Sequence, residues 1–507
     1  MNNIKTLGEL KKSGYVPKSI KQEIRDNLIL KIQSKEDPFP GILGYEDSVI
    51  PDTERALLSQ HNILFLGLRG QAKTRMARQM VALLDEYIPY VEGSEINDDP
   101  LRPMSKYAVD LIAEKGDATP IAWLHRSERY GEKLATPDVS VADLIGDIDP
   151  IKAANLKLSF ADERVLHYGI IPRSNRCIFV INELPDLQAR IQVSLFNILE
   201  EGDLQIRGFK LRLPLDVMFV FTANPEDYTN RGSIVTPLKD RIESQILTHY
   251  PKSIETSLAI TEQEAGSSED QLQRVKVSDL IKRLIEQVAF EARGSELVDK
   301  KSGVSARLTI SAYENAVSAA ERRAIINNEK ETQVWLSDLV GIIPSITGKI
   351  ELVYEGEQEG PYQVAFNLLE RAIRTQFGVY FPNPDSLKKK KAKEASNPDD
   401  NPYRAITRWF DAGNTLNNFF ETKDDDKIQL LYKVDGLHAL VKKYFKTAND
   451  KENALLMEFV LHGLAAHSLI SKKVLEGKIE FKDLMGSMLN IGSQHFGEDD
   501  FNEEDFN

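Results

Sequence analysis

The distribution of apolar residues divides the chain into a strand-rich part and a helix-rich part. Three apolar runs of strand length, Ile63 to Leu66, Cys177 to Ile181 and Val217 to Thr222, alternate with longer segments of helical spacing. Such alternation is typical of a mostly parallel sheet covered by helices. Between the last two runs, the apolar positions of Gln188 to Glu201 fall on one helical face. The sequence therefore predicts an α/β domain here.

Helical patterns dominate after Pro251. Apolar residues recur at helical spacing in Val277 to Arg293, Thr309 to Asn327 and Trp335 to Ile342, which predicts a smaller helical domain after the sheet domain. The longest apolar stretch, Ala454 to Ile470, contains charged and histidine residues. We interpret it as a buried helix and expect no membrane insertion.

These patterns and the turn-forming segments between them predict an order of domains. We expect a helical lead-in at 1–38, the α/β domain at 39–250, a helical domain at 251–350, a linker and extension at 351–402, a helical C-terminal domain at 403–496 and a disordered acidic tail at 497–507.

Composition and charge narrow the class of protein. At 507 residues the chain is too long for one ordinary core, and its 41% hydrophobic and 28% charged residues are close to the averages for soluble proteins. A single cysteine, Cys177, fits a reducing compartment, so we expect a cytoplasmic protein. The net charge of -14 disfavours nucleic acid as a partner, and the lysines at 388–391 fit a solvated linker.

The first apolar run ends in a glycine-rich loop that leads directly into a helical pattern. The loop and the residue after it are Gly67, Leu68, Arg69, Gly70, Gln71, Ala72, Lys73, Thr74 and Arg75. In a P-loop, backbone N–H groups surround the phosphates, the lysine reaches the β- and γ-phosphates, and the threonine hydroxyl binds Mg²⁺. Ala72 replaces the usual glycine and narrows the available backbone angles. The loop predicts an ATP and Mg²⁺ site, and the alternative is an ordinary strand-to-helix turn.

The other two apolar runs also end in polar residues. Asn182 and Glu183 follow the second run, where P-loop ATPases carry an aspartate that supports Mg²⁺ and a glutamate that polarises the attacking water. The amide oxygen of Asn182 is still able to accept from a Mg²⁺-bound water. Asn224 follows the third run. The alternatives are a buried strand with a polar end and an Asn-Pro turn.

In this order and spacing, the three motifs resemble the AAA+ superfamily and, within it, the MoxR/RavA and magnesium-chelatase I-subunit branch. The resemblance spans about Phe39 to Ala324 and includes the entry segment Pro38 to Asp47. It implies a P-loop AAA+ core with a mostly parallel sheet at 39–250, an all-α lid at 251–350 and a further helical C-terminal region. It also implies that Asn224 is sensor 1, which orients water and the γ-phosphate.

The resemblance implies two arginine roles. Leu238-Lys239-Asp240-Arg241 occupies the place of the arginine-finger string, so Arg241 would reach across a subunit boundary. Arg307, near the start of a lid helix, would be sensor 2. The alternatives are a surface Asp-Arg pair and a solvated arginine. The branch also carries an insert before the Walker B strand and a hairpin before sensor 1, which Leu156 to Ser174 and Leu204 to Leu213 would supply.

The function implied by the resemblance is ATP-driven remodelling or activation of a partner protein by a homo-oligomeric, hexameric ring. Members of the branch commonly work with a von Willebrand A-type partner. Three alternatives remain. A σ54-type transcription activator would carry a Gly-Ala-Phe-Thr-Gly-Ala loop, which this chain lacks. A nucleic-acid motor conflicts with the acidic charge balance. A nucleotide-binding scaffold with weak turnover would fit Asn182.

Overall fold

The computed structural model describes residues 4–159, 162–205, 212–225, 233–386, 401–446, 449–475 and 477–484. The chain divides into two compact units, unit 1 at Met1–Tyr250 and unit 2 at Pro251–Asn507. The lysine run at 388–391 and the acidic tail at 497–507 lie outside the described residues.

Unit 1 combines strands and helices. Its described strands are β1 (Ile63–Leu66), β2 (Tyr87–Val91), β3 (Ile121–His125), β4 (Tyr130–Leu134), β5 (Gly146–Ile148), β6 (Leu166–Tyr168), β7 (Cys177–Asn182), β8 (Asp203–Gln205), β9 (Arg212–Pro214), β10 (Val217–Ala223) and β11 (Ser244–Leu247). Its described helices are α1 (Leu7–Lys12), α2 (Ile20–Ser34), α3 (Val49–Leu58), α4 (Lys73–Gln79), α5 (Lys106–Lys115), α6 (Val141–Leu144), α7 (Pro150–Leu156), α8 (Ile170–Arg173), α9 (Ala189–Ser194), α10 (Phe196–Glu201) and α11 (Thr236–Asp240).

The central sheet of unit 1 has five strands in the order β11-β1-β10-β7-β4, and every neighbouring pair is parallel. This confirms the predicted α/β fold with a parallel sheet. Outside it, β2 pairs with β3, β5 with β6 and β8 with β9, all antiparallel. The last pair forms the base of the hairpin predicted at 204–213, and residues 206–211 lie outside the described part.

Both faces of the central sheet are buried, which explains its near-continuous apolar runs. Successive side chains of a strand point to opposite faces. Leu64 and Phe219 belong to the hydrophobic cluster on one face, whereas Ile63 and Val220 belong to the cluster on the other. The second cluster also contains residues of α2, so the N-terminal lead-in is part of the core of unit 1.

One predicted helix of unit 1 is interrupted. The segment Gln188 to Glu201 forms the two short helices α9 and α10 instead of one. Leu195 lies between them, and its N–H donates to the carbonyl of Gln192, three residues back, at 3.1 Å. This tighter turn breaks the regular four-residue hydrogen-bond pattern.

Unit 2 is mainly helical. Its described helices are α12 (Ile254–Glu264), α13 (Glu269–Arg274), α14 (Asp279–Gly294), α15 (Arg307–Ile326), α16 (Ile343–Thr347), α17 (Tyr354–Glu359), α18 (Pro361–Tyr380), α19 (Arg404–Asp411), α20 (Asp424–Tyr432), α21 (Leu437–Tyr444) and α22 (Asp450–Ala466). Its described strands are β12 (Val275–Lys276), β13 (Thr332–Gln333), β14 (Leu416–Phe419), β15 (Ser471–Leu475) and β16 (Lys478–Lys482).

Helices α14 and α15 confirm two helices predicted for unit 2, and the third, at Trp335 to Ile342, is a 3₁₀ helix at Leu336–Ile342. The apolar stretch from Ala454 is the buried helix α22, as predicted. The sequence did not predict the antiparallel sheet β14-β16-β15 or the short β12-β13 pair. Across the described ranges, no helix combines the length and apolar character needed to cross a bilayer.

A buried ion pair fastens the N-terminal lead-in to the central sheet. Arg129, immediately before β4, donates from Nη1 and Nη2 to the two carboxylate oxygens of Glu23 on α2, at 2.6 and 2.7 Å. Both side chains are almost fully buried. The Nε of Arg129 donates to the carbonyl of Arg176 at 2.9 Å. Removing one partner would leave the other charge buried and uncompensated.

We therefore expect Glu23→Gln to lower the free energy of unfolding of unit 1 by about 3 kcal/mol or more. Urea unfolding followed by circular dichroism measures this change. The control is Lys11→Ala, because the ion pair of Lys11 with Asp117 is exposed to solvent and contributes little. Equal effects of the two substitutions would contradict the structural role of the buried pair.

Candidate functional site

The loop from Gly67 to Thr74 connects β1 to α4. Its backbone enters the left-handed region twice, at Gly70 (φ 74°) and at Ala72 (φ 56°). Glycine adopts this conformation without a steric penalty, whereas a Cβ atom costs roughly 1–2 kcal/mol. The loop therefore retains its shape at Ala72 at a cost in conformational energy.

Side chains distant in sequence support this loop. A Cβ atom at Gly67 would overlap Thr248 and Gln71, so this position requires glycine. The Thr248 hydroxyl donates to Gln71 Oε1 at 2.6 Å, and both residues are buried. The Tyr45 hydroxyl lies 2.9 Å from the Gln71 carbonyl oxygen, and burial raises the pKa of Tyr45 to about 12. The entry segment at 38–47 contains Tyr45, but the sequence assigned no role to Tyr45 or to Thr248.

Lys73 extends into the loop it follows. Its Nζ donates to the carbonyl of Leu68 at 2.9 Å and also to the carbonyl of Gly67. Arg69 is exposed on the loop, and Arg75 is partly buried in the first turn of α4. The ammonium group of Lys73 is thus positioned among the backbone groups of the loop.

Three side chains from the P-loop and the two adjacent strands meet at one point. The hydroxyls of Thr74 and Thr222 lie 3.2 and 3.0 Å from the Asn182 amide oxygen and donate to it. The backbone N–H of Glu183 donates to the Thr222 hydroxyl at 3.2 Å. Glu183 has a left-handed backbone (φ 56°, ψ 48°), an uncommon conformation for a residue with a Cβ atom. Thr222, which sequence reasoning missed, therefore joins the ends of β7 and β10.

A carboxylate that the sequence did not indicate lies next to Asn182. Glu132 of β4 accepts a hydrogen bond from Asn182 Nδ2 at 2.6 Å through its Oε1 atom. Its Oε2 atom accepts from Arg78 Nη2 of α4 at 2.9 Å and from the Tyr130 hydroxyl at 3.0 Å. Asn182 is thus fixed between the P-loop threonine on one side and a carboxylate on the other.

Asn224 directly follows β10. Its Oδ1 atom is buried and has no hydrogen-bond donor within the part of the chain that the structure describes, which omits the nearby residues 226–232. Buried polar atoms in proteins are nearly always hydrogen-bonded. The Asn224 oxygen therefore fits a position that accepts from a bound ligand or water.

Arg241 lies at the end of α11 and contacts α10. Its Nε and Nη2 atoms each lie 2.7 Å from Glu200 Oε2, and its Nη1 donates to the Pro237 carbonyl at 2.8 Å. The guanidinium carbon lies 4.8 Å from the centre of the Phe196 ring. The described contacts of Arg241 are thus to α10 and α11, and none is to the P-loop.

Arg307 is the first residue of α15 in unit 2. Its side chain is exposed, and its backbone N–H donates to the Ser305 hydroxyl at 3.1 Å. The exposed position leaves the guanidinium accessible.

Part of unit 1 matches a known protein family. Residues 121–242 match the family described as AAA domain (dynein-related subfamily). Unit 1 therefore contains an AAA domain. The match includes Asn182, Glu183, Asn224 and Arg241, and it begins after the P-loop. Together with the parallel sheet and the P-loop after β1, it confirms the AAA+ P-loop fold.

Solved structures similar to this chain are distant from it in sequence. A protein from Cytophaga hutchinsonii, provisionally described as an ATPase, is 18% identical over 71% of this chain and 97% of its own, with a TM-score of 0.28. A complex of the magnesium-chelatase subunits BchI and BchD is 19% identical over 63% of this chain and 98% of its own, with a TM-score of 0.33.

A third structure, of NtrX from Brucella abortus, is 13% identical over 57% of this chain and 54% of its own, with a TM-score of 0.34. Likenesses at these scores carry no information about activity or partners. No protein of curated function matches the sequence.

The left-handed backbone of Ala72 leads to a stability prediction for the AAA domain. Ala72→Gly should raise the free energy of unfolding by about 1 kcal/mol, because glycine removes the penalty for a Cβ atom at positive φ. Denaturant unfolding measures the change. Ala77→Gly in α4 is the control and should destabilise by about 1 kcal/mol, since glycine weakens a helix interior. Destabilisation by both substitutions would contradict the conformation of the loop.

Proposed function

We propose that the AAA domain binds ATP with Mg²⁺ and hydrolyses it, and that the protein uses this reaction to remodel or activate a partner protein. The observation that carries this proposal is the 3.2 Å hydrogen bond between Thr74 of the P-loop and Asn182 at the end of β7. This hydrogen bond joins the predicted phosphate-binding loop to the end of β7, where Glu183 is the predicted water-activating residue. Asn224 follows the neighbouring strand, β10.

The residues present fit a magnesium nucleotide. Lys73 and the backbone of Gly67 to Arg75 would hold the phosphates. Thr74 and Asn182 would hold Mg²⁺, since hydroxyl and amide oxygens are suitable ligands or acceptors for its bound water. When bound, Mg²⁺ neutralises the charge that develops on the phosphates. The buried Asn224 oxygen supplies a further acceptor close to these strand ends.

Glu183 is the candidate for activating water. Its N–H is held by Thr222, and its left-handed backbone turns the chain at the end of β7. Strained residues of this kind are frequent at active sites, where the surrounding structure maintains them. In the proposed reaction the Glu183 carboxylate polarises the attacking water, and Asn224 helps to orient it.

The contacts of Arg241 support a role between subunits. Glu200, the Pro237 carbonyl and the Phe196 ring hold its guanidinium at α10 of its own subunit, away from the P-loop contacts. We propose that Arg241 completes the site of a neighbouring copy in a hexameric ring. Arg307 of unit 2 would act as sensor 2. In this proposal the lid is residues 251–350, and the β8–β9 hairpin faces the pore.

We propose that the protein is a cytoplasmic motor of the MoxR/magnesium-chelatase type that works with a von Willebrand A-type partner. A second candidate function is a nucleotide-binding scaffold with weak turnover. The neutral Asn182 at the usual aspartate position favours that alternative, because an amide supplies less charge to the metal than a carboxylate.

Substitutions at Lys73 and Glu183 separate the two functions. Lys73→Ala should abolish nucleotide binding, since it removes the cation that reaches the phosphates. Glu183→Gln should bind ATP normally but lower turnover by about 10² or more, because the amide cannot act as a base. Fluorescent-nucleotide binding and phosphate release measure these effects. Glu201→Gln, at an exposed carboxylate, is the control. Unchanged turnover in Glu183→Gln would refute the motor mechanism.

Mixing experiments test the role of Arg241 between subunits. Arg241→Ala should retain ATP binding and lose about 10³ in turnover. Adding Lys73→Ala subunits, which hydrolyse nothing themselves but carry an intact Arg241, should restore part of the phosphate release. Mass photometry of Glu183→Gln in ATP should show a six-subunit species. Wild-type turnover by Arg241→Ala would exclude this residue as the finger.

A further inference from the structure

The charge missing from Asn182 is present on the neighbouring strand. Strand β4 runs parallel to β7, and its register places Glu132 opposite Val180 and Leu134 opposite Asn182. Residues two apart on a strand share one face of the sheet. Glu132 and Asn182 therefore lie on the same face, and a 2.6 Å hydrogen bond joins their side chains.

This hydrogen bond determines the orientation of the Asn182 amide. An ionised carboxylate only accepts hydrogen bonds, so the amide nitrogen must face Glu132. The amide oxygen consequently faces the Thr74 hydroxyl, 3.2 Å away. Thr74 and Thr222 do not fix this orientation by themselves, because each hydroxyl is able both to donate and to accept and could bind either end of the amide. Glu132 thus turns the acceptor atom of Asn182 toward Thr74, the other residue proposed to hold Mg²⁺.

The same contact disfavours an aspartate at position 182. An aspartate here would place two carboxylates at hydrogen-bonding distance, where like charges prevent both from being ionised. An amide at 182 and a carboxylate at 132 avoid this repulsion. Together they carry the same total charge as the usual aspartate beside a neutral residue.

We propose that Glu132 and Asn182 together replace the Walker B aspartate. Asn182 would supply the oxygen for Mg²⁺ or its bound water, and Glu132 would supply the negative charge and hold the amide in place. Glu132 is thus a positioning residue for the metal. This inference rests on the proposed Mg²⁺-nucleotide site of the AAA domain.

The competing role for Glu132 is a surface ion pair with Arg78. The geometry separates the two roles, because Arg78 and the Tyr130 hydroxyl contact Oε2, whereas Asn182 contacts Oε1. The Arg78 side chain is 63% exposed and that of Glu132 is 24% exposed. Water therefore screens the interaction with Arg78, and this ion pair contributes little.

Metal affinity tests the proposal independently of turnover. The protein is mixed with ADP, and Mn²⁺ uptake is followed by the loss of the free-ion signal in electron paramagnetic resonance, after subtraction of the loss that the same ADP causes without protein. We expect Glu132→Gln to weaken Mn²⁺ binding about tenfold, as loss of an outer-shell partner does in metal sites. The affinity for ADP in EDTA should stay unchanged, which also shows that the variant is folded.

A double variant and a control complete the experiment. Glu132→Gln/Asn182→Asp exchanges the carboxylate and the amide. It should recover Mn²⁺ affinity to within about threefold of the wild type, because the negative charge is restored. A difference of about threefold is smaller than the loss expected when an outer-shell partner is removed. Arg78→Gln leaves Glu132 in place and should retain Mn²⁺ affinity.

Four results would overturn the proposal: normal Mn²⁺ affinity in Glu132→Gln, no recovery in the double variant, an equal loss in Arg78→Gln, or loss of ADP binding in EDTA by Glu132→Gln. Absence of ADP-dependent Mn²⁺ uptake by the wild type would instead refute the proposed nucleotide site, and the inference with it.

Discussion

Parallel pairing of three central strands is the constraint on which the candidate site depends. The register that pairs Leu66 with Ala223 and Phe221 with Ile181 brings the ends of β1, β10 and β7 to one edge of the sheet. Only in this register do Thr74 and Thr222 contact Asn182. A shift of one residue would turn the side chains of a strand to the opposite face and separate these groups.

The central strands were predictable because both of their faces are buried, which leaves a continuous apolar run in the sequence. The edge strands were not. Strand β4 contains Gly131, Glu132 and Lys133, and strand β11 is also partly polar. Such short strands resemble loops in sequence. Glu132 was missed for this reason, since its importance follows only from the pairing of β4 with β7.

Motifs made of neighbouring residues were predictable from the sequence, whereas contacts between distant residues were not. The P-loop residues are adjacent in sequence, so their pattern indicated phosphate-binding chemistry. Tyr45 and Thr248 contact the loop from positions far away along the chain, and no local pattern identifies such partners. The sheet β14-β16-β15 likewise pairs residues near 416 with residues near 480. Its strands have only four or five residues each, and strands this short resemble loops in sequence.

The buried pair of Glu23 and Arg129 changes how the beginning of the chain is understood. Residues 1–38 look like an appendage in sequence, yet Ile24 and Leu28 of α2 share a hydrophobic cluster with Phe65 of β1. Proteolytic removal of this segment would expose one side of the sheet to solvent. It would also leave the guanidinium of Arg129 without its carboxylate partner in an apolar interior. The core around the central sheet therefore begins at α2, well before the P-loop, and we expect a fragment that folds on its own to include this helix.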